Sequence, residues 1–172
     1  MKYIFLIFFF ISIHINFVSA NTNIAFINME TVLSESKVGS SILKQLTEIN
    51  NKNSENLKNA KINLKKKEEK IVSKRNVISA EEYQSNINEF KLEVENYNVV
   101  RNKKINDFNK LKINVTNKFI NLINPIIAKY AEKNSISIVL QKKDLVIGKS
   151  ELDITGEIIK IINNEVNEFE VK

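Results

Sequence analysis

The chain lacks most of the residue types on which common active sites depend. It contains no cysteine, and its one histidine, His14, lies in an apolar stretch near the N-terminus. Without cysteine there are no disulfides and no thiol chemistry. Without a second histidine, zinc sites and Ser–His or Cys–His nucleophiles lose their usual ligands and bases. The spacing of the three aspartates, Asp107, Asp144 and Asp153, suggests no paired-carboxylate chemistry, so we expect neither an enzyme nor a cofactor.

The first twenty residues have the pattern of a secretory signal peptide. Lys2 gives a positive start, residues 3–18 are nearly all apolar, and Val18-Ser19-Ala20 has the small-x-small pattern of a cleavage site. An uncleaved membrane anchor is the alternative, but the apolar core is short beside the ~20 apolar residues of a spanning helix. We therefore expect residues 1–20 to be removed on export, which leaves a soluble exported protein that begins at Asn21.

The mature chain carries a modest excess of positive charge. Loss of Lys2 with the signal peptide leaves 25 Lys and Arg against 20 Asp and Glu, a net charge of +5. Such a charge favours anionic partners but does not choose a fold. Nucleic acid is not expected as a partner, because the protein is exported and its positive residues are interleaved with acids.

Glycine and proline are also rare. There are three glycines, Gly39, Gly148 and Gly156, and one proline, Pro125, so the stretch from Ser40 to Asn124 contains neither. Such a long run without helix breakers is typical of a coiled coil rather than of an ordinary globular helix. The sequence also has no glycine-rich phosphate loop, so nucleotide binding is not expected.

In the second half of this stretch, apolar residues recur at alternating steps of three and four, the spacing of a supercoiled helix. The pattern continues for roughly six heptads, and Arg101 is its one polar member. We predict that these residues, the aromatic ones included, form the seam between two helices. They are Tyr83, Ile87, Phe90, Val94, Tyr97, Arg101, Ile105 (or Lys104), Phe108, Leu111, Val115, Phe119, Leu122 and Ile126.

The first half of the stretch has a weaker seam. Asn53 and Lys67 stand at positions that should face the partner helix, and the step from Ile49 to Leu57 is one residue too long. A step of this length predicts a local register break, and we expect this helix to flex there. The apolar seam positions are Ile42, Leu46, Ile49, Leu57, Ala60, Leu64 and Ile71.

A turn is predicted between the two halves. Ser79 followed by Glu82 is a capping-box pattern, so a new helix should begin near Ala80. The alternative is one continuous helix with a coincidental match. Charge favours the turn, because residues 58–75 hold eight basic and two acidic residues, whereas residues 81–95 hold five acidic and one basic. Folding back just before the serine lays these blocks side by side in an antiparallel hairpin.

The two ends of the chain indicate a small body with β structure. Ile24–Ile27 suits a buried strand, and Ile136–Leu140 with Leu145–Ile147 predicts a β-hairpin. Residues 158–166 give a short amphipathic helix, and a kink or helix restart is expected at Pro125. So small a body favours an oligomer in which strands from several chains complete one sheet or barrel.

These features predict an α+β protein with a small oligomeric β-barrel body and a long, projecting antiparallel coiled-coil hairpin. The expected division is a signal peptide at residues 1–20, a body formed by residues 21–40 and 125–172, and a hairpin arm at residues 41–124. The turn of the arm is expected near residues 77–80.

Three segments of the sequence resemble the Skp/OmpH family of periplasmic chaperones. They are IAFINMETVLSESKVGSSILKQL at 24–46, NPIIAKYAEKNSISIVLQ at 124–141 and LDITGEIIKIIN at 152–163. Asn28 departs from the aspartate that the family often carries after its first strand. The resemblance implies a homotrimer whose three bodies form a small β-barrel. Its three arms would enclose unfolded outer-membrane proteins and keep them from aggregating, without ATP.

A basic cavity would hold unfolded and commonly acidic outer-membrane proteins by many weak contacts. Each candidate lysine alone could equally solvate a flank of the coiled coil. Anionic lipid and lipopolysaccharide stay open as further partners. The candidate client-binding residues are Lys58, Lys61, Lys65, Lys66, Lys67, Lys70, Lys103, Lys104, Lys110 and Lys112.

A second group of candidate residues belongs to the body and its assembly. It comprises Ile24, Phe26, Asp153, Ile154 and Thr155. Asp153 or Thr155 is expected to cap the last helix, and Ile154 to enter the contact between subunits.

The alternative function is a structural coiled-coil tether of the cell envelope without chaperone activity. The arms match the family only in length, period and charge, as any coiled coil would, so they do not separate the two functions. A tether predicts a specific folded partner and no suppression of aggregation.

Overall fold

A computed structural model of the chain describes residues 23–166 and 169–171, so the predicted signal peptide lies outside the described residues. The fold is a small α+β body with a two-helix arm. The arm helices have 37 and 54 residues, which gives them lengths of ~55 and ~80 Å. The elements are β1 (Ile24–Ile27), α1 (Met29–Glu35), α2 (Lys37–Ser73), α3 (Ala80–Lys133), β2 (Ile138–Gln141) and α4 (Thr155–Glu165), with 3₁₀ turns at Lys142–Asp144 and Ser150–Leu152.

Side-chain caps define the beginnings of α1 and α2. The Asn28 Oδ1 accepts hydrogen bonds from two amides in the first turn of α1, at 3.1 and 3.2 Å. Ser36 is fully buried, and its Oγ accepts from the Gly39 amide at 3.1 Å at the start of α2. A Cβ on Gly39 would lie 2.1 Å from the Leu33 carbonyl oxygen, so the close approach of α2 to α1 requires glycine.

The arm consists of α2 and α3, which are joined by residues 74–79. α2 ends at Ser73 and α3 begins at Ala80, where the Ser79 Oγ accepts a hydrogen bond from the Glu82 amide at 3.1 Å. The predicted helix start at Ala80 is therefore confirmed, and the alternative of one continuous helix is wrong.

The predicted seam packs the two arm helices together. Its residues nearest the body are buried, as is one residue near the tip, and most of the others are half-buried. This gradient means that the arm is held most firmly at its base, where the body adds further contacts. The buried seam residues are Ile42, Leu46, Ile71, Val115 and Phe119.

The structure decides between the two residues predicted for one seam position and departs from the prediction at another. Lys104 rather than Ile105 faces α2, and its Nζ donates to the Asn53 Oδ1 at 3.1 Å, whereas Ile105 is 42% exposed. Closer to the body, Ile123 is fully buried in place of Leu122. There α3 packs against α4 and the rest of the core, and a helix of 3.6 residues per turn drifts away from a strict seven-residue repeat.

Both arm helices are continuous where the sequence has irregularities, the predicted register break in α2 and the proline in α3. α2 is helical from Ile49 to Leu57 without a break. Half-buried Asn53 occupies the seam position between them, four residues from each. α3 continues through Pro125 as far as Lys133, so the predicted helix restart is wrong. Proline removes one backbone donor from α3, and the packing of the neighbouring turns on the core keeps the helix continuous.

The body contains a two-stranded sheet in which β1 and β2 are parallel. The pairing extends from Ile24 with Ile138 to Ile27 with Gln141. The predicted β-hairpin is wrong, because the chain enters a 3₁₀ turn after β2 and residues 145–149 form no strand. A hairpin requires antiparallel strands joined by a short turn, whereas the whole arm connects β1 to β2 and permits parallel pairing.

The hydrophobic core lies where the arm meets the body. Burying one such apolar side chain contributes ~1.5–3 kcal/mol, so the core firmly anchors the base of the arm. The prediction of a short amphipathic helix near the C-terminus is confirmed, since α4 buries two residues one turn apart. The largest core residues are Ile42, Phe119, Ile123, Ile158 and Ile162.

Candidate functional site

The D-I-T segment ties the start of α4 to the end of β1. The Asp153 Oδ1 accepts hydrogen bonds from the Thr155 amide, at 3.0 Å, and from the Thr155 hydroxyl. That hydroxyl oxygen accepts from the Asn28 amide at 2.8 Å, and the Ile154 amide donates to the Phe26 carbonyl at 3.0 Å. Asp153 supplies an acceptor for the first amide of α4, but the capping position is Ile154 rather than the predicted Asp153 or Thr155, and the Ile154 side chain makes no capping hydrogen bond.

The second oxygen of Asp153 is paired with Lys142. The Lys142 Nζ lies 3.0 Å from the Asp153 Oδ2 and 5.7 Å from the centre of the Phe26 ring. Partial burial would raise the pKa of Asp153, but hydrogen bonds from Thr155 and Lys142 outweigh it and hold the pKa below its usual value. The carboxylate is therefore ionised at neutral pH and acts as a hydrogen-bond acceptor that joins segments of the body.

The body also has an apolar face that its own chain leaves uncovered. Ile24, Ile138 and Leu140 lie on the side of the sheet opposite the core and are 38–45% exposed. Val146 and Ile147, in the extended segment after β2, are 104% and 91% exposed. Apolar side chains as exposed as these mark an interaction surface when they lie together.

The structure places the predicted assembly residues in two environments. Ile24 lies on the exposed face, whereas Phe26, Ile154 and Thr155 are each only 6% exposed. Ile154 belongs to the core of its own chain. A Cβ on Gly148 would lie 2.8 Å from the Phe26 ring, so the extended segment passes close over this ring. Sequence analysis missed the most exposed members of the face, the two residues just before that glycine.

The ten candidate lysines lie along both arm helices rather than in one patch. One group lies in the half of α2 nearer the tip, and the other lies further along α3. Lys65 and Lys103 are exposed but paired within their own helices, with Glu69 at 4.0 Å and Asp107 at 2.7 Å. Six others are exposed and form no ion pair within 4.0 Å in the described part of the chain: Lys58, Lys61, Lys66, Lys70, Lys110 and Lys112.

Lys67 and Lys104 instead lie half-buried between the arm helices. The Lys67 Nζ is 2.6 Å from the Glu93 carboxylate and 3.0 Å from that of Glu89. Both hydrogen bonds raise the pKa of Lys67, and the bond with Glu93 has the larger effect. Lys104 donates to Asn53 across the same seam. In the structure these two lysines serve the contact between α2 and α3.

Hollows lie beside the arm both at its base and in its middle. The larger, of about 700 Å³, lies at its base between α1, α3 and β2, with Met29, Ile120 and Leu140 in its lining. The smaller, of about 280 Å³, surrounds Asn53 and Lys104 in the middle of the arm. The polar pair interrupts the apolar packing there and leaves space between the helices.

Sequence analysis also missed a line of apolar residues on the outer side of α3. Leu92, Val99 and Ile113 are 66%, 61% and 60% exposed. They are separated by seven and fourteen residues, so they recur on one face of the helix, away from the seam. The signal was present in the sequence as a seven-residue repeat of apolar residues outside the seam positions.

Two kinds of site are absent from the described residues. None of their helices combines the length and the apolar character needed to cross a bilayer. Within the same residues, no three His, Cys, Asp or Glu side chains come together as a metal-binding group.

The body, with its D-I-T segment, and the projecting arm define an α+β protein in which a helical hairpin is inserted between two paired strands. The family model for OmpH-like outer membrane proteins matches residues 23–162, so the chain belongs to the OmpH-like family. The resemblance noted in the sequence is thereby confirmed. No curated protein sequence matches the chain.

The fold is similar to that of a solved OmpH-like protein from Caulobacter crescentus CB15. The TM-score is 0.79 at 11% sequence identity, and the match covers 88% of this chain and 89% of the other. At this identity the similarity concerns the fold alone.

Proposed function

We propose that the protein is an ATP-independent holdase chaperone of the periplasm. It encloses unfolded outer-membrane proteins between its arms and prevents their aggregation before they enter the membrane. The observation that carries this proposal is the projecting arm, on which six of the candidate lysines are exposed and form no ion pair within 4.0 Å among the described residues. Membership of the OmpH-like family supports the same class of function, since the Caulobacter crescentus relative is described as a candidate outer membrane chaperone.

The arm suits a client that has no fixed structure. Outer-membrane barrel strands alternate apolar and polar residues, so an unfolded barrel protein presents both kinds of contact. Exposed charge pairs contribute only ~0–1 kcal/mol each, so a client held by many of them stays bound but can still leave. Such binding needs no nucleotide. Anionic lipid or lipopolysaccharide would compete for the same unpaired lysines through charge.

We further propose that three copies assemble through the apolar face of the body. The face formed by the sheet and by Val146 and Ile147 is exposed in one chain. The free edge of β2 lies beside it, and an open strand edge readily pairs with another chain. A closed trimer would cover the face, complete the short sheets as a barrel and place three arms around one space.

The test is to dilute a urea-denatured outer-membrane barrel protein into buffer with and without the purified mature chain. Light scattering measures aggregation, and size-exclusion chromatography with multi-angle light scattering measures the mass of any complex. We expect a stoichiometric excess of trimer to suppress aggregation and to form a soluble complex with the client. Aggregation at the rate of the client alone would remove the chaperone function and favour a tether.

A charge-reversal variant tests the role of the lysines in the same assay. Lys58→Glu, Lys61→Glu and Lys110→Glu together should weaken client binding and reduce its dependence on salt, because screened charge attraction is lost. The matched control reverses Lys129, Lys133 and Lys160, which are exposed in the part of the chain nearer the body. Equal binding by the arm variant and the wild type, with the trimer intact, would contradict a role for these lysines.

A further inference from the structure

The outer side of α3 carries exposed apolar residues that the packing of α3 on α2 does not explain. The seam side packs on α2 through residues such as Phe90 and Val94, and the opposite side of a two-helix arm should be polar. Leu92, Val99 and Ile113 lie on that opposite side and are 66%, 61% and 60% exposed. Seven residues make two turns of a supercoiled helix, so these side chains form one line, which we call the outer line.

The outer line is long but narrow. From Leu92 to Ile113 it extends about 31 Å at 1.5 Å per residue. Exposed Asn106 occupies the position between Val99 and Ile113, and seven residues beyond Ile113 the repeat reaches Ile120. Ile120 lines the hollow of about 700 Å³ at the base of the arm. The line therefore leads from the outer half of the arm towards the body.

Asparagines border every apolar member of the outer line. Residues three and four apart are neighbours on a helix surface, and each apolar residue has two exposed asparagines at such distances. A side-chain amide offers both a donor and an acceptor, which are the two groups that a peptide backbone also presents. The bordering residues are Asn88 and Asn96 for Leu92, Asn96 and Asn102 for Val99, and Asn109 and Asn117 for Ile113.

This chemistry favours an extended polypeptide as the occupant. Three apolar side chains are far fewer than the ~20–30 residues that each partner contributes to a stable protein interface, so a second copy would gain too little. An interfacial membrane helix needs a broad apolar face bordered by cations. Here the apolar line is narrow, with Val100, 39% exposed, as an apolar neighbour of Val99. Its border carries both signs of charge rather than cations alone, with Glu89 and Glu95 beside Leu92 and with Lys103 and Lys110 beside Val99 and Ile113.

We propose that the outer line is the surface on which the arm holds extended segments of an unfolded client. Apolar client side chains rest on Leu92, Val99 and Ile113, while the bordering asparagine amides satisfy peptide groups that no sheet yet pairs. The hydrogen-bonding part of the contact is independent of client sequence, because every extended segment presents the same backbone groups. The inference rests on the proposed chaperone function and adds an apolar contact with the client to the proposed contacts of the exposed lysines.

The experiment compares two triple variants with the wild-type trimer. The line variant carries Leu92→Gln, Val99→Gln and Ile113→Gln, and glutamine keeps a good helix propensity. The control variant carries Ile62→Gln, Val72→Gln and Val77→Gln, which remove three exposed apolar side chains elsewhere on the arm. Fluorescence anisotropy measures binding of a labelled, urea-denatured outer-membrane barrel protein after dilution, and circular dichroism checks that each variant is folded.

We expect the line variant to bind the client about tenfold more weakly, or about 1.4 kcal/mol, and the control variant to lose less than about twofold. A photo-crosslinking amino acid at position 99 in an otherwise wild-type chain should give a client adduct, and one at position 72 should not. The crosslinking measurement does not depend on the folding of the triple variant.

The possible results separate the inference from the function on which it rests. If the wild type binds the client and the line variant binds equally well, the outer line is not the client surface and the chaperone function stands. If the wild type binds no client, both proposals fail. A lower oligomeric mass of the line variant in sedimentation would overturn the inference in favour of a contact between copies. Loss of binding only to phosphatidylglycerol vesicles would overturn it in favour of a membrane contact.

Discussion

At the residue scale, Asp153 accepts hydrogen bonds that would otherwise have no partner at the start of α4. One of its oxygens serves Thr155, and the other is paired with Lys142 in the turn after β2. Through the Thr155 hydroxyl it also orders the Asn28 amide at the end of β1. The carboxylate therefore couples three segments that are distant in sequence, and its loss should destabilise all three.

We expect Asp153→Ala to lower the free energy of unfolding by about 1–3 kcal/mol, since two amide or hydroxyl donors lose their acceptor. The pKa of Asp153 is lowered in the folded state, so the stability it provides is present above its unfolded pKa of about 3.9 and is lost as the pH falls through the folded value. The cost of the mutation should be constant between about pH 5 and 8 and should shrink below about pH 4.

Urea unfolding across this pH range measures the effect. Asp153→Asn is the control, because it keeps an acceptor oxygen and loses mainly the ion pair with Lys142, at a cost below about 1 kcal/mol. Client holding should fall only as far as assembly falls. A mutation cost that grew in acid, or an activity lost in a fully assembled protein, would contradict a structural role for Asp153.

Asn28 shows what could be predicted for single residues. The sequence marked it as a departure from an aspartate, but the geometry of its environment was not visible there. In the structure its side-chain oxygen caps α1. A neutral asparagine provides this acceptor as well as an aspartate does, so the departure costs little.

At the element scale, the arm could be predicted because its signal is local. The seam repeats every three or four residues along one helix, and the capping serine lies beside the helix start that it defines. The sheet could not be predicted in the same way, because Ile24 pairs with Ile138 across the whole arm. Strand pairing over such a distance depends on tertiary packing, and the local alternation at residues 136–147 favoured a hairpin that the protein does not form.

The middle of α2 should be the most mobile part of the arm. α2 is continuous there, but the half-buried Asn53 and the hollow of about 280 Å³ beside it replace apolar packing. Amides of Asn50–Glu55 should exchange with solvent faster than those of Phe108–Val115, because local opening is less costly where few apolar contacts are lost.

Hydrogen exchange followed by mass spectrometry measures this difference. Asn53→Leu is the informative variant, because an apolar residue at the seam can pack into the hollow, and exchange around it should slow. Asn51→Leu is the matched control, since Asn51 is exposed on the same helix. Equal exchange rates in the two segments of the wild type would contradict a weak point in the arm.

At the scale of the whole molecule, the uncovered apolar face of the body is not explained by packing within one chain. Val146 and Ile147 are almost fully exposed beside a two-stranded sheet, and so short a sheet is not stable on its own. The sequence indicated an oligomer from the size of the body. It did not indicate these two residues, because they were assigned to a strand.

We expect Val146→Lys with Ile147→Lys to prevent assembly, because two charges would be buried without partners at each contact. Analytical ultracentrifugation should show a mass near that of one chain, compared with three for the wild type. Val72→Lys with Val77→Lys places the same charges on the exposed arm residues and should leave the mass unchanged. An unchanged mass for the body variant would place the subunit contact elsewhere.

For the export that we propose, the parallel pairing of β1 and β2 also affects the order of folding events. Ile24 is among the first described residues, and its partner Ile138 follows only after both arm helices. A chain that emerges from its N-terminus must therefore keep β1 unpaired until nearly all of it has crossed the membrane. Bringing such distant segments together through a flexible chain is slow. Early pairing of α2 with α3 would shorten that search, so the arm would guide the folding of its own body before it meets any client.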